Sequence, residues 1–398
     1  MDRAVRSVPG LAAAMTVSMG AGPLIVYAIS TLSPFLIPEL GLSRLEYGTL
    51  GTVTFASAAI ASLRAGRVVD TTGARSIMWL LVLGAVGAIF AAAAAPSYPV
   101  LLVAVMASGI VQALSNPITN RLAAQWLPPS SRGVVMGVKQ SGVQMTQAAA
   151  GLFLPTLAVL ATWRGALALV AGAMLFLGAV LVARYVPHEP REQAAASRIA
   201  GARLPTSVWW LTGFMFLVGA ALQGVNFYLP LFGYEDLGLS VETAGLLAAI
   251  VGGVGIVARI IWGRITDRAG SNLAMPAVAA GGACALALLL LSSILSPELI
   301  WLGALLMGAT GVAANVVVMV SVIHAVPSHA IGRATGLVAT GMYVGFAAGP
   351  ISVGALVDGT GSYAIAWAAI IGIYAIAVIA ALGFANQARR QRAETPLG

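Results

Sequence analysis

Long apolar runs alternate with short polar connections along the whole chain. A helix needs about 20 predominantly apolar residues to cross the hydrocarbon core of a bilayer, and each run is about that long. The pattern therefore predicts an all-α integral membrane protein with twelve transmembrane helices. We place these spans near 11–33, 47–68, 76–95, 99–125, 133–161, 165–184, 206–232, 243–265, 273–295, 298–325, 333–357 and 363–385.

One segment of the first half recurs in the second half. Residues 41–73 and 238–270 share a Gly-Leu-Ser start and a Gly-Arg-x-x-Asp-x-x-Gly end. Further matches follow, among them Asn116 with Asn315. Such a duplication in an apolar chain is typical of transporters built from two repeats. It predicts two pseudo-symmetric six-helix halves, at 1–184 and 206–398, joined by a polar cytoplasmic linker at 185–205 and ended by a short cytoplasmic tail.

The composition supports lipid as the main solvent. The chain is 59% hydrophobic and 9% charged, whereas soluble domains carry about 25% charged residues. Its single cysteine, Cys284, excludes a disulfide framework and a cysteine-based metal site. There is no phosphate-binding loop of the G-x-x-x-x-G-K-[ST] type and no set of convergent catalytic groups. We expect neither an enzyme nor an ATP-driven pump, and no metal or cofactor.

Basic residues predict the orientation of the spans, because cytoplasmic loops are enriched in Lys and Arg. Sixteen arginines lie on the side of the termini, against only Arg44 and Arg164 on the opposite side. We therefore expect both termini in the cytoplasm and the protein in the plasma membrane, as in a bacterial inner membrane. The net charge of +8 then reflects insertion and lipid contact, and no nucleic-acid partner is expected.

The loop after the second span carries a motif that defines a family. Gly66, Asp70, Gly73 and Arg75 resemble the G-x-x-x-D-x-x-G-x-R signature of the major facilitator superfamily. The second copy consists of Gly263, Asp267 and Gly270. The resemblance implies the major facilitator fold, with these residues as a latch that holds the two halves together in one state. The alternative is a loop that only sets topology. The glycines Gly66 and Gly263 are expected to permit close helix approach.

Two shorter segments resemble particular branches of this family. The fifth span, from Arg132 to Gly142, is similar to permeases of the cyanate-permease kind. Ala258-Arg259-x-x-x-Gly263 resembles the monocarboxylate and oxalate–formate branch, in which such an arginine contacts an anionic substrate. That branch's mammalian members carry an acidic residue where this chain has Gly255. The drug–proton antiporters expect Gly-Pro in the fifth span, where this chain has Ala150-Gly151.

Two basic residues inside spans are the strongest candidates for substrate binding. Lys139, the only lysine, lies in the fifth span and either faces a cavity or extends its stem to the membrane surface. Arg259, in the eighth span, has no carboxylate in that span and binds either a substrate anion or Asp267. Other polar positions fit a central cavity or interhelical hydrogen bonds. They are Ser18, Tyr27, Gln112, Asn116, Gln140, Gln144, Gln147, Asn226, Tyr228, Thr310, Asn315 and Tyr343.

The middle of every predicted span lacks Asp and Glu. Proton coupling would then depend on the substrate, on Lys139 or on His324. We expect a monomeric secondary active or facilitative transporter that moves a small organic anion, such as a carboxylate, by alternating access. Lys139 and Arg259 would clamp the anion. The alternatives are proton-coupled efflux of a drug or another neutral or cationic molecule, and a membrane sensor that transports nothing. The pattern leaves the direction of transport and the coupling ion open.

Overall fold

The computed structural model describes residues 7–188, 204–326 and 331–394, without the side chains of 129, 332 and 387–394. Most of the predicted linker at 185–205 lies outside the described residues. Helices are the only regular elements in these ranges. They are α1 Val8–Ala21, α2 Leu24–Thr31, α3 Ser33–Leu40, α4 Arg44–Thr71, α5 Ala74–Ala93, α6 Tyr98–Gln112, α7 Ser115–Trp126, α8 Pro129–Leu160, α9 Trp163–Tyr185, α10 Thr206–Glu235, α11 Val241–Ala269, α12 Ser271–Ser292, α13 Leu299–Thr310, α14 Ala314–Ala325, α15 Ile331–Thr360 and α16 Tyr363–Glu394.

The repeated Gly-Leu-Ser segments form the same kind of turn twice. Gly41 and Gly238 both adopt a left-handed backbone, with φ of 63° and 66°, which glycine tolerates best. The serine that follows then caps the next helix. The Ser43 hydroxyl accepts a hydrogen bond from the Glu46 amide at 3.1 Å, and the Glu46 carboxylate accepts one from the Ser43 amide at 2.9 Å. This reciprocal capping box starts α4 at Arg44, three residues before the predicted span 47–68.

The predicted spans are present as helices, but three of them are broken. Within the described residues, ten helical segments are long and apolar enough to cross a membrane, and α1 with α2 makes an eleventh across a 51° bend. The break falls at Gly22-Pro23, where proline lacks the amide that a continuous helix needs. Further breaks separate α6 from α7 and α13 from α14. The remaining predicted span, 47–68, lies in α4, which is helical throughout but is not among these segments.

The chain divides into two compact units. Unit 1 contains Met1–Leu42, Val53–Arg198 and Ser240–Gly252, and unit 2 contains Ser43–Thr52, Ile199–Leu239 and Gly253–Gly398. The first turns of α4 thus belong to unit 2, and the first turns of α11 belong to unit 1. The predicted boundaries at 184 and 205 stay a prediction.

Glycines bring helices together at matched positions within each unit. In unit 1, a Cβ added at Gly142 of α8 would lie 3.0 Å from the carbonyl carbon of Thr16. In unit 2, a Cβ at Gly341 of α15 would lie 2.8 Å from the carbonyl oxygen of Thr212. Small residues let helix backbones approach in this way where lipid provides no hydrophobic drive. The two repeats therefore share their helix-packing positions.

Candidate functional site

Lys139 is fully buried in unit 1, with 0% of its surface exposed. From α8, its ammonium donates to the Thr119 hydroxyl at 2.8 Å and to the Asn120 side-chain oxygen at 2.5 Å, both on α7. The side chain therefore does not extend to the membrane surface. Neither acceptor is charged, and no carboxylate of the described ranges forms an ion pair with Lys139.

The hydrogen bonds of α7 fix the acceptor for Lys139. The Thr119 hydroxyl donates to the Ser115 carbonyl at 2.6 Å, which aims its lone pairs towards the ammonium. The sulfur of Met19, on α1, lies 3.6 Å from the same hydroxyl. A buried charge is costly unless it is paired, and an ammonium has three donors, of which the described residues accept two. The arrangement can bind an anion that supplies the missing negative charge.

Three further buried polar groups of unit 1 lie on α1, α6 and α7. The Ser18 and Ser115 hydroxyls and the Gln112 side-chain oxygen have no hydrogen-bond partner among the residues that the structure describes. All three residues are at most 7% exposed. With Thr119 and Lys139 they form what we call the unit 1 polar cluster. Buried polar groups are normally satisfied, so each unsatisfied one calls for an explanation.

The cluster lies at two helix breaks. Ser18 is one turn before the Gly22-Pro23 break, and Gln112 and Ser115 flank the break between α6 and α7. A Cβ at Gly22 would lie 2.6 Å from the Cβ of Gln112, so the two breaks are in contact. Discontinuous helices surround substrate sites in many transporters because they free polar groups at mid-membrane.

The other predicted residues of unit 1 lie on α2, α7 and α8. Asn116 is half-buried on α7, and its carbonyl lies 3.2 Å from the Thr119 hydroxyl. Gln140 is half-buried beside Lys139, and Tyr27 on α2 is buried. The structure thus places Asn116 and Gln140 on the two helices that hold Lys139, and Gln112 at the end of the preceding helix α6. Their role in substrate binding stays a prediction.

The predicted residues of unit 2 are more dispersed. Arg259 is half-buried on α11, and Asn226 is buried on α10. The Asn315 amide donates to the Met342 sulfur at 2.9 Å, and the Tyr343 ring lies edge-on to Phe346 at 6.2 Å. Asp267 is exposed and pairs with no described residue, so the alternative pairing of Arg259 with Asp267 is absent. A substrate role for Arg259 stays a prediction.

The first signature loop is held by hydrogen bonds from arginines to backbone carbonyls. Arg75 donates to the Ala183 carbonyl at 2.8 Å, and Arg121 donates to the carbonyls of Val69 and Thr72. Asp70, like Asp267, is exposed and forms no ion pair within the described ranges. The latch role of both loops stays a prediction.

The glycines of these loops behave less symmetrically than the sequence suggests. A Cβ at Gly66 would meet no atom of the described residues within 4 Å, and the close helix approach expected there stays a prediction. At Gly263 a Cβ would be in ordinary contact with Val316 at 3.4 Å. Gly73 has φ of −60°, whereas its match Gly270 has φ of 83°, which favours glycine.

Two polar clusters at helix ends were not predicted from the sequence. In unit 2, the Arg44 guanidinium pairs with Glu235, and Tyr363 donates to Glu235 at 2.7 Å. In unit 1, the Trp163 indole and Arg164 donate to Glu39 at 2.5 and 3.0 Å. The hydrogen bond from Trp163, which has the largest effect, and the hydrogen bond from Arg164 hold the pKa of the Glu39 carboxyl below its usual range. The sequence does mark both clusters, because Arg44 and Arg164 are the only basic residues predicted on the side of the membrane opposite the termini.

Comparison with known proteins identifies the family. Residues 11–338 match the model of the Major Facilitator Superfamily. An uncharacterised MFS-type transporter of Mycobacterium tuberculosis is 27% identical over 90% of this chain and 83% of its own. A gallate transporter of Pseudomonas putida is 27% identical over 66% of this chain and 67% of its own. A hexuronate transporter of Bacillus subtilis is 24% identical over 60% of each chain.

Solved structures show the same fold. A bacterial homologue of the human lysosomal transporter Spinster, in an inward-facing and occupied conformation, matches with a TM-score of 0.79. The match covers 98% of both chains at 17% identity. The predicted family and its all-α membrane fold are thereby confirmed. The chain belongs to the major facilitator superfamily, and it is a multi-pass membrane transporter and not an enzyme.

Proposed function

We propose that this protein transports a small organic anion, a carboxylate, by alternating access. The observation that carries the proposal is the burial of Lys139 without a carboxylate partner. Two neutral oxygens compensate a buried ammonium only in part, because removing a charge from water is costly. A substrate anion that binds beside Lys139 would complete this compensation.

Two relatives support the anionic class of substrate. The gallate and hexuronate transporters are named for carboxylates. Each is about a quarter identical to this chain, which supports the class and not the compound. We further propose a bacterial inner-membrane location with both termini in the cytoplasm, which the positions of the arginines support. A substrate that carries its own proton would couple transport to a pH gradient without an intramembrane carboxylate.

Lys139→Met in proteoliposomes tests the proposal. Counterflow of labelled carboxylates, inorganic anions and cationic drugs would be measured with and without a pH gradient. A hydrogen bond to a charged group contributes about 1.5–3 kcal/mol, so carboxylate uptake should fall about 10- to 150-fold. Arg132→Met is the matched control, since it removes a cation from the exposed start of the same helix.

The outcomes separate the candidate functions. Carboxylate uptake that depends on Lys139 and survives Arg132→Met supports the proposal. Uptake by Lys139→Met within twofold of wild type would contradict it. Drug counterflow without anion uptake would favour efflux of a neutral or cationic molecule.

Arg259 is tested separately. Arg259→Gln should lower carboxylate uptake, whereas Arg264→Gln, on an exposed position of the same helix, should leave it unchanged. Equal effects of the two substitutions would remove Arg259 from the proposed site.

A further inference from the structure

The side-chain oxygen of Gln112 is a buried hydrogen-bond acceptor. Its oxygen receives no hydrogen bond from any described residue, and the residue is 7% exposed. A buried acceptor that lacks a donor destabilises the folded protein, and such groups persist mainly where a ligand or water satisfies them. Gln112 therefore needs a donor that the described residues do not provide.

The backbone holds Gln112 in place. It is the last residue of α6, and Gly22 packs against its Cβ. The Ser108 hydroxyl, one turn earlier on α6, donates to the Gly22 carbonyl at 3.1 Å. Any larger residue at position 22 would collide with Gln112, since its Cβ would lie 2.6 Å from that side chain. The amide is thus fixed at the contact between two helix breaks, as a recognition group must be.

The same cluster contains two hydroxyls in the same condition. Ser18 and Ser115 are 0% and 2% exposed, and neither hydroxyl oxygen has a partner among the described residues. A hydroxyl can both donate and accept. The cluster thus combines one cation, one acceptor and two hydroxyls, which suits a ligand with one negative charge and several hydroxyl groups.

Gln112 and Lys139 are held on different helices. Gln112 ends α6, whereas Thr119, the hydroxyl partner of Lys139, lies on α7 beyond the break between these two helices. A ligand that contacts both Gln112 and Lys139 therefore needs a polar group separate from its carboxylate.

From this arrangement we infer that the substrate is a hydroxylated carboxylate, with its carboxylate at Lys139 and a hydroxyl donating to Gln112. This inference rests on the proposed function. A site built to hydrogen-bond a hydroxyl rejects the analogue that lacks it, because its own polar groups are then left unpaired.

Binding of paired acids to the full-length protein in detergent tests the inference. The pairs are gluconate with hexanoate and 4-hydroxybenzoate with benzoate. Titration calorimetry avoids the passive leak of the apolar acids through vesicles. We expect wild type to bind at least one hydroxylated acid 10-fold or more tightly than its partner. Gln112→Met should remove that preference and leave affinity for the apolar partner within twofold. Gln125→Met, on an exposed position of α7, is the control and should change nothing.

Each outcome has one meaning. Equal wild-type affinity within both pairs, or binding of neither pair, overturns the inference without any variant. An equal loss of both members in Gln112→Met also overturns it, because the residue would then be structural only. Binding of carboxylates that depends on Lys139 but shows no hydroxyl preference leaves the proposed function intact. If no carboxylate binds and Lys139→Met has no effect, the proposed function fails as well.

Discussion

The first turn of α4 is held by a carboxylate from another helix of unit 2. The Asp358 carboxylate on α15 accepts the backbone amides of Arg44 at 2.9 Å and Leu45 at 2.7 Å. These amides belong to the first turn of a helix, where no intrahelical acceptor exists. Replacing Asp358 should therefore destabilise the protein.

The magnitude follows from the exposure of Asp358. Two charge-assisted hydrogen bonds would contribute about 1.5–3 kcal/mol each if they were buried. Asp358 is exposed, so water replaces much of that contribution, and the loss approaches that of a helix cap, about 0.5–2 kcal/mol. We expect Asp358→Ala to lower the free energy of unfolding by about 2 kcal/mol. Asp358→Asn should lower it by about 1 kcal/mol, because one oxygen remains as an acceptor.

Thermal unfolding of the purified protein in detergent measures both effects. For a folding unit of 150–250 residues, 1 kcal/mol shifts the midpoint by about 2–4 °C. Glu298→Ala is the control, since Glu298 is also an exposed carboxylate but accepts a hydrogen bond only from Ser296 and its own amide. A midpoint for Asp358→Ala within 1 °C of wild type would refute the capping role.

Three further predictions concern stability. Lys139→Met removes the desolvation cost of a buried ammonium together with its two hydrogen bonds. We therefore expect the free energy of unfolding to change by no more than about 2 kcal/mol. A larger fall in the unfolding midpoint would show that the lysine mainly stabilises the fold. Gly142→Ala should destabilise by about 1–3 kcal/mol through contact with Thr16. Gly137→Ala should stabilise by up to about 1 kcal/mol, because the added Cβ meets no atom of the described residues within 4 Å. Equal midpoint shifts for the two glycine variants would contradict both predictions. The pKa of Glu39 is lower in the folded protein than in the unfolded chain. The Glu39 carboxylate therefore stabilises the fold fully above its unfolded pKa, about 4.3, and this contribution falls as the pH drops through its folded pKa. The midpoint difference between wild type and Glu39→Gln should shrink from pH 7 to pH 4, and a constant difference would exclude the titration of Glu39.

The sequence predicted the helices and missed their interruptions. Hydropathy averages over about 20 residues, so the predicted span 11–33 covers α1 and α2 without a gap. Pro23 and Pro117 mark two of the breaks and could have located them. The break between α13 and α14 contains no proline. Only the repeat could have located this break, because it falls at the sequence positions that match the break between α6 and α7.

The depth of Lys139 could not be derived from its position in the span. A lysine about six residues inside a helix can either reach the surface or remain buried. The choice depends on Thr119 and Asn120, which approach from α7 about twenty residues away in sequence. Ser115 was not predicted at all, because a serine inside a span usually bonds to its own helix. Its lack of a partner becomes visible only when the surrounding side chains are placed.

The duplication explains the packing of the helices, whereas the proposed role of Lys139 depends on a difference between the two copies. Gly48 and Gly245 match, and each packs tightly within its unit, with Cβ positions 2.6 Å from Tyr228 Oη and from the Gly151 carbonyl. The residues just before them differ, because Arg44 corresponds to Val241. In place of a carboxylate from another helix, α11 is capped by its own Ser240, which accepts the Thr243 amide at 3.2 Å. If the symmetric positions alone determined function, exchanging matched polar residues would be neutral. Because Lys139 corresponds to Val338, which is fully buried, we expect Val338→Lys to destabilise unit 2 without creating a second anion site. Binding of a second carboxylate by Val338→Lys, measured by calorimetry, would contradict this reasoning.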